Sequence, residues 1–250
     1  MTKTKPQLIV ALDVSTLAEA RSMIDKLADQ VDVFKVGSQL FTSCGPAAVR
    51  FIEARGKKVF LDLKFHDIPN TVAQAVSSAV SLSVALERSM DINNRTPPSM
   101  RGLFMYTLHT CGGLDMMKAA VEAGAKTAQE IGVTRPLAVG VTVLTSEAKR
   151  DNILPLVLER ALLAQKAGLD GVVASCHEAK FLRKEFGKDF VIVTPGIRPA
   201  GADKQDQERV ATPQEAVKSG SDYLVVGRPI VQAQDPYLAA KSILQEIEKS

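Results

Sequence analysis

Val59-Phe-Leu-Asp-Leu-Lys-Phe-His-Asp-Ile-Pro-Asn-Thr71 starts as an apolar run and ends as a polar loop. Side chains at i and i+2 of a strand point to one face. Asp62 and Lys64 are therefore expected to look the same way, while Asp67 falls past the strand and is carried by the loop. Pro69 sits where the first turn of a helix accepts a proline, and Thr71 to Leu86 continues with helical character. The stretch reads as one strand–loop–helix unit with charges collected where the strand ends. Such charges are either a satisfied ion pair or a catalytic device, and the flanking units have to decide which.

The same unit recurs in both directions. Apolar runs suited to strands lie at Gln7 to Asp13, Val31 to Gly37, Lys58 to Leu63, Leu103 to His109, Pro136 to Val143, Leu169 to Ala174, Phe190 to Thr194 and Asp222 to Gly227. Between them, helical spacing covers Thr16 to Asp29 (with Ser15 or Thr16 as N-cap), Gly45 to Arg55 (ended by Gly56), the segment from Gly112-Gly113 to Ala123, Ile153 to Ala167, His177 to Phe186, Pro213 to Lys218 and Asp235 to Ile247. Continuous apolar strands are those buried on both faces of a parallel sheet. Eight such βα units in 250 residues predict an α/β fold, a single-domain (β/α)8 TIM barrel spanning 1–250. A doubly wound sheet does not need eight regular units. The rhythm breaks once, at Leu82 to Gly102, where Asn93-Asn94 and Pro97-Pro98 mark an irregular insertion. It joins a helix to the next strand, which in a barrel places it on the N-terminal face, away from the chemistry.

Composition narrows the function classes. The balance of 46% hydrophobic and 24% charged residues is that of a folded domain. A net charge of +3 without a dense Lys/Arg block gives no reason to expect a nucleic-acid partner. The run Leu8 to Leu12 stops at Asp13, too short for a signal or a membrane span, and no other run reaches membrane length. Three cysteines, Cys44, Cys111 and Cys176, form no close pairing motif and suit a reducing compartment. A cytoplasmic protein without membrane contact is expected.

In a barrel the strand C-termini carry the active site. Asp13 stands there on strand one, Lys35 on strand two, Asp62 and Lys64 on strand three and Asp67 in the next loop. Taken singly, each reads equally well as a solvated strand-end charge. Taken together, alternating charges on three adjacent strands satisfy one another, which isolated buried charges cannot do. Strand five ends in Thr145 and Ser146. Strands seven and eight end in Gly196 with Arg198 and in Gly227 with Arg228, and Gln207 lies in the polar loop Pro199 to Arg209. Loops after these strands often hold phosphate in barrels of this kind, with glycine allowing close backbone approach and arginine supplying bidentate donors. Zinc fits poorly. His109 and Cys111 follow strand four, Cys176 and His177 follow strand six, and neither pair has the usual two-residue ligand spacing. No metal is expected. His66 is read as a structural hydrogen-bonding group rather than the base.

Asp62-Leu-Lys64-Phe-His-Asp67-Ile-Pro-Asn-Thr71 resembles the signature of the orotidine 5'-monophosphate decarboxylases. Val141-Thr-Val-Leu-Thr-Ser146, Leu169-Asp-Gly-Val-Val173, Thr194-Pro-Gly-Ile-Arg-Pro199 and Val226-Gly-Arg-Pro229 resemble the bacterial form, so the match runs over nearly the whole chain. The resemblance implies a cofactor-free homodimer that converts orotidine 5'-monophosphate to uridine 5'-monophosphate in de novo pyrimidine synthesis. Lys64 would protonate C6 of the pyrimidine as carbon dioxide leaves, and Asp62 would stand beside the departing carboxylate and hold Lys64. Lys35 and Asp13 would complete the array and contact the ribose hydroxyls. Asp67, with Ile68 and Thr71, would reach into the site of the other subunit. Thr145 would contact the pyrimidine, and Arg198, Gln207, Gly227 and Arg228 would hold the phosphate. The chain departs from the family in two places. The Leu82 to Gly102 insertion is longer than usual, and the segment after Ser146 is shorter than in the bacterial relatives.

Three other readings compete. Magnesium-dependent sugar-phosphate decarboxylases or aldolases of the same superfamily share the D-x-K-x-x-D pattern, but carry an acidic metal ligand where this chain has Lys35. A Schiff-base aldolase needs an unprotonated Lys64, against the neighbouring Asp62 and Asp67. A catalytically silent nucleotide-phosphate binder does not need the intact charge array.

Overall fold

A computed structural model describes residues 5–82, 102–144, 153–199 and 210–250 of the chain. Eight parallel strands close a barrel in chain order: β1 (Gln7–Ala11), β2 (Val33–Gly37), β3 (Lys58–Phe65), β4 (Met105–His109), β5 (Leu137–Val141), β6 (Gly171–Val173), β7 (Val191–Thr194) and β8 (Tyr223–Val226), with β8 pairing back onto β1. The helices are α1 (Leu17–Leu27), α2 (Ser38–Cys44), α3 (Pro46–Ala54), α4 (Pro69–Val80), α5 (Gly113–Ile131), α6 (Leu154–Lys166), α7 (Cys176–Phe186), α8 (Pro213–Lys218), α9 (Arg228–Val231) and α10 (Pro236–Glu248). The expected TIM barrel is the observed one.

Local chemistry explains most boundaries. Thr16 caps α1 through a capping box with Glu19, and Thr212 does the same for α8 with Glu215. Prolines open α3, α4, α6, α8, α9 and α10, where a missing N–H costs nothing. The helix read as running to Leu86 ends at Val80, with Ser81 as its C-cap, and three further boundaries differ from the sequence reading. The segment after β2 is helical from Ser38, with Gly45 at φ 57 separating α2 from α3. The helix expected to stop at Ala123 runs on to Ile131, where Gly132 adopts the left-handed cap. Gly124 lets it do so in close quarters: a Cβ there would lie 3.1 Å from the Tyr106 hydroxyl and 3.3 Å from Val76 on α4. The third is β3, which continues past Leu63 to Phe65. The insertion expected at 82–102 lies outside the described residues apart from Leu82 and Gly102, and so does the segment after Ser146. Among the described residues no helix is long and apolar enough to cross a membrane.

The core has two layers. Inside the barrel Ile9, Ala11, Val33, Phe60, Met105, Val139, Val193 and Val225 form a plug. Outside it, strand residues such as Val10, Phe34, Leu61 and Leu108 pack against the inner faces of the helices. This is why the strands read as unbroken apolar runs: alternate residues feed two different cores. The plug also closes the barrel below the charged strand ends, so those charges sit on a low-dielectric floor.

One strand pair has no room to give. A Cβ on Gly171 in β6 would lie 2.0 Å from the Val191 carbonyl oxygen of β7. Backbone cannot yield as a flexible side chain does, so Gly171→Ala is expected to cost about 3 kcal/mol, the upper end of the usual overpacking range. Urea unfolding would measure this, and a midpoint equal to that of the parent would contradict it.

Candidate active site

The charges on the first three strands converge. Parallel register sets Ala11 beside Lys35 and Gly37 beside Asp62. The Lys35 ammonium lies 3.1 Å from Asp13 Oδ1 and 3.5 Å from Asp62 Oδ2, and the Lys64 ammonium donates to Asp62 Oδ1 at 2.9 Å. The order Asp13–Lys35–Asp62–Lys64 therefore alternates in space. Two glycines make the room for it. A Cβ on Gly37 would come within 2.9 Å of the Lys35 nitrogen, and one on Gly227 within 3.2 Å of Asp13 Oδ2.

The end of β3 reaches this arrangement by an unexpected backbone. Leu61 pairs with Tyr106 and Phe65 with Leu108, so three residues of β3 oppose the single Thr107 of β4. Within this bulge Lys64 has φ 53, the one non-glycine residue with positive φ among those described. Left-handed backbone costs a residue with a Cβ on the order of 1 kcal/mol or more, and such strain gathers at functional sites. Simple i, i+2 alternation does not carry through a bulge. Asp62 and Lys64 still share the site, but the bulge delivers Lys64 there. Thr107, fully buried, accepts from the Lys64 backbone N–H at 2.8 Å and donates to Asp62 Oδ1 at 2.9 Å. The sequence reading missed Thr107, a single threonine inside an apolar strand.

Burial pushes the Asp62 carboxyl upward. The Lys35 and Lys64 ammoniums, with hydrogen bonds from Lys64 and Thr107, more than reverse this and hold it below the usual carboxylate range. The carboxylate is fixed and ionised above an apolar floor, and its two neighbouring cations cannot drift into solvent without leaving it unpaired.

Across the mouth, the ends of β7 and β8 supply the second expected group. Gly196 has φ 78, and the Arg198 side chain is buried, with its Nη1 donating to the Ile197 carbonyl at 2.9 Å. Arg198 N donates to the Ala211 carbonyl and Ala211 N to the Gly196 carbonyl, at 2.9 and 3.3 Å, which pins together the two ends of the intervening loop. Gly227 caps α9, whose first residue is Arg228. Gly196, Arg198, Gly227 and Arg228 line the same cavity of about 230 Å3 as Asp13, Lys35, Asp62 and Lys64. Its remaining wall is apolar, from Phe60, Val141, Val143, Leu144, Val173 and Val193. The cavity is thus charged at two ends and greasy between them. That suits a flat, weakly polar ring with an anionic group at each end.

Other expected residues stand elsewhere. Asp67, Ile68 and Thr71 are exposed, Ile68 to 65%, and none of them lines the cavity of its own chain. Asp67 Oδ1 accepts from Ile68 N at 2.7 Å, a local turn contact. Thr145, Ser146 and Gln207 lie outside the described residues. The residues weighed for zinc do not assemble. Cys176 is buried with its thiol 3.4 Å from the Ser219 hydroxyl, and Cys111 is exposed near His66. Among the described residues no cluster of three His, Cys, Asp or Glu side chains could hold a metal ion. His66 approaches the Cys111 sulfur at 4.0 Å and the His109 ring at 5.5 Å, outside the array.

Residues 6–243 match the family model described as orotidine 5'-phosphate decarboxylase / HUMPS family. An orotidine 5'-phosphate decarboxylase of Moorella thermoacetica is 45% identical over 253 aligned positions, covering 98% of this chain and 93% of that protein. One of Geotalea uraniireducens is 46% identical, covering 98% and 96%. The crystal structure of an orotidine 5'-phosphate decarboxylase from Lactobacillus acidophilus superposes with a TM-score of 0.76 at 33% identity, covering 97% of this chain and 99% of that one.

The depressed carboxyl has a consequence for stability. Ionised Asp62 contributes stability that is fully present above the unfolded-state carboxyl value, about pH 4, and is lost as pH falls through its lower folded value. Asp62→Asn removes that linkage. Its urea midpoint is expected to decline less steeply than the parent's below about pH 4, and parallel declines would contradict the assignment.

Proposed function

The chain belongs to the orotidine 5'-phosphate decarboxylase / HUMPS family and is a carboxy-lyase acting on orotidine 5'-monophosphate in pyrimidine biosynthesis, and from that premise we propose that Lys64 is its proton donor and that Asp62 and Lys35 hold it in place. The observation that carries this reading is the unbroken Asp13–Lys35–Asp62–Lys64 sequence of contacts at one end of a cavity whose other end holds two arginines.

The chemistry follows from where charge develops. Breaking the C6–carboxylate bond leaves the electron pair on an sp2 ring carbon, where the ring delocalises it poorly. An ammonium held at that carbon stabilises the pair as it forms. Lys64 then gives its proton to C6, and the resulting amine is reprotonated from solvent. Asp62 stands beside the departing carboxylate and fixes the direction of the Lys64 ammonium through their 2.9 Å contact. Lys35 and Asp13 take the ribose hydroxyls. Arg198, Arg228, Gly227 and Gln207 take the phosphate, and the apolar wall between covers the pyrimidine, with Thr145 at its edge. Binding energy from the phosphate, remote from the reacting carbon, serves to order the site around it.

The second part of the proposal is a homodimer with shared sites. Asp67, Ile68 and Thr71 lie together at the start of α4, exposed and turned out of their own cavity. An exposed isoleucine beside an aspartate is suited to entering the mouth of a second copy. The enzyme is placed in the cytoplasm, where its nucleotide substrate and its free cysteines both belong. The magnesium-dependent reading loses ground at Lys35. A fixed ammonium between the Asp13 and Asp62 carboxylates stands where a divalent ion would need them.

Loss of orotidylate absorbance, followed with metal-free protein in EDTA, tests the reaction. Turnover is expected to be undiminished, and a requirement for magnesium would sink the reading. Lys64→Ala is expected to lower kcat by about 10^4-fold or more with the fold intact, and near-parent activity would remove Lys64 from its role. Mixing inactive Lys64→Ala and Asp67→Ala subunits should restore part of the activity, because one site of each hybrid dimer carries both native residues. No recovery after demonstrated subunit exchange would refute the shared site.

A further inference from the structure

We propose that Thr107 is a positioning residue for the decarboxylation: its hydroxyl sets the rotation of the Asp62 carboxylate and holds the left-handed backbone of Lys64, so that the proton donor is aimed before substrate arrives. The inference rests on the assignment of Lys64 and Asp62 made above and extends it to a residue that touches no substrate.

The geometry is specific. A threonine hydroxyl has one proton. Its oxygen receives the Lys64 N–H at 2.8 Å, and its proton goes to Asp62 Oδ1 at 2.9 Å. The same Oδ1 receives the Lys64 ammonium at 2.9 Å, while Oδ2 faces Lys35 at 3.5 Å. Both ends of the Lys64 residue, backbone nitrogen and side-chain nitrogen, are thus tied to one carboxylate oxygen, one through Thr107 and one directly. Without the hydroxyl, Asp62 is held by the two ammoniums alone, and the partly exposed Lys64 side chain on Oδ1 can rotate it.

The backbone makes the same point independently. Three β3 residues stand opposite Thr107, so the ladder hydrogen bonds of β3 are interrupted there. The Lys64 N–H would lack a strand partner at the place where φ is 53. Thr107 is fully buried. A valine has the same shape and higher strand preference, so packing alone gives no reason for a hydroxyl at this position.

The experiment compares Thr107→Val, Thr107→Ala and Thr107→Ser with the parent in the orotidylate assay, with thermal unfolding alongside. Val is expected to lower kcat by about 10- to 100-fold, the rate equivalent of one lost charge-assisted hydrogen bond, with KM changed by less than about threefold. The acid limb of its kcat profile should move to higher pH, because the ionised Asp62 has lost a donor. Ala should lose activity as Val does, and Ser, which differs from Ala by the hydroxyl, should recover kcat to within about fivefold of the parent. A merely structural role would lower the unfolding temperature without moving the acid limb. Val with parent kcat, Ser as impaired as Ala, or failure of both Val and Ala to fold would each overturn the proposal. The parent's own turnover in the same assay keeps this result separate from the decarboxylase assignment, since an inactive parent would refute that assignment instead.

Discussion

The Asp62 carboxylate, held between the Lys35 and Lys64 ammoniums at the open end of the barrel, is the contact on which the rest of the site depends. Burial alone would favour its neutral form. Two cations and two hydrogen bonds reverse that preference. Each partner in turn depends on Asp62. Lys35 is nearly buried and, among the described residues, has Asp13 as its other acidic partner, and Lys64 is carried on a strained bulge. Lys35 and Asp62, with side chains only 10% and 13% exposed, are the two that are costly to leave unpaired in that place.

The barrel makes such an arrangement affordable by separating two functions along one axis. The plug of Ile9, Val33, Phe60, Met105 and their neighbours supplies burial and excludes water from below. The charged rim sits directly above it, so its fields are little screened. The walls of the cavity then grade from charged at β1–β3 to apolar at β5 and β6 and back to basic at the ends of β7 and β8. Under the proposed roles, the arginines would take the phosphate while the Asp–Lys array stays free for the reacting carbon.

Glycine and strain appear where the charges demand space rather than where the fold is loose. Gly37 and Gly227 leave room for Lys35 and Asp13. The bulge at Lys64 spends backbone strain to aim a side chain, and Thr107 is the neighbour that makes the strained conformation the satisfied one. Local rules of strand alternation fail here, and such failures are expected at functional sites, where the surrounding structure fixes what local preference would not choose.

The sequence by itself determined the architecture, because strands fed on both sides by apolar cores must read as continuous apolar runs, and eight of them in order leave little choice but closure. It also determined which strand ends carry charge, since those positions break the runs: Asp13, Lys35, Asp62, Lys64, Arg198 and Arg228 all stand out against apolar neighbours and all line the cavity. Helix limits were less legible. Gly124 interrupts no helix, because the neighbouring Tyr106 and Val76 fill the space beside it. Only the tertiary structure decided that Thr107 joins Lys64 to Asp62, since one hydroxyl within an apolar strand carries no local signal and acquires its meaning from a residue 43 positions away. Only the tertiary structure, too, turned Asp67, Ile68 and Thr71 out of their own cavity. Spacing along a chain says which face of a strand a side chain takes, whereas the register of neighbouring strands and the bulges within them say what it meets there.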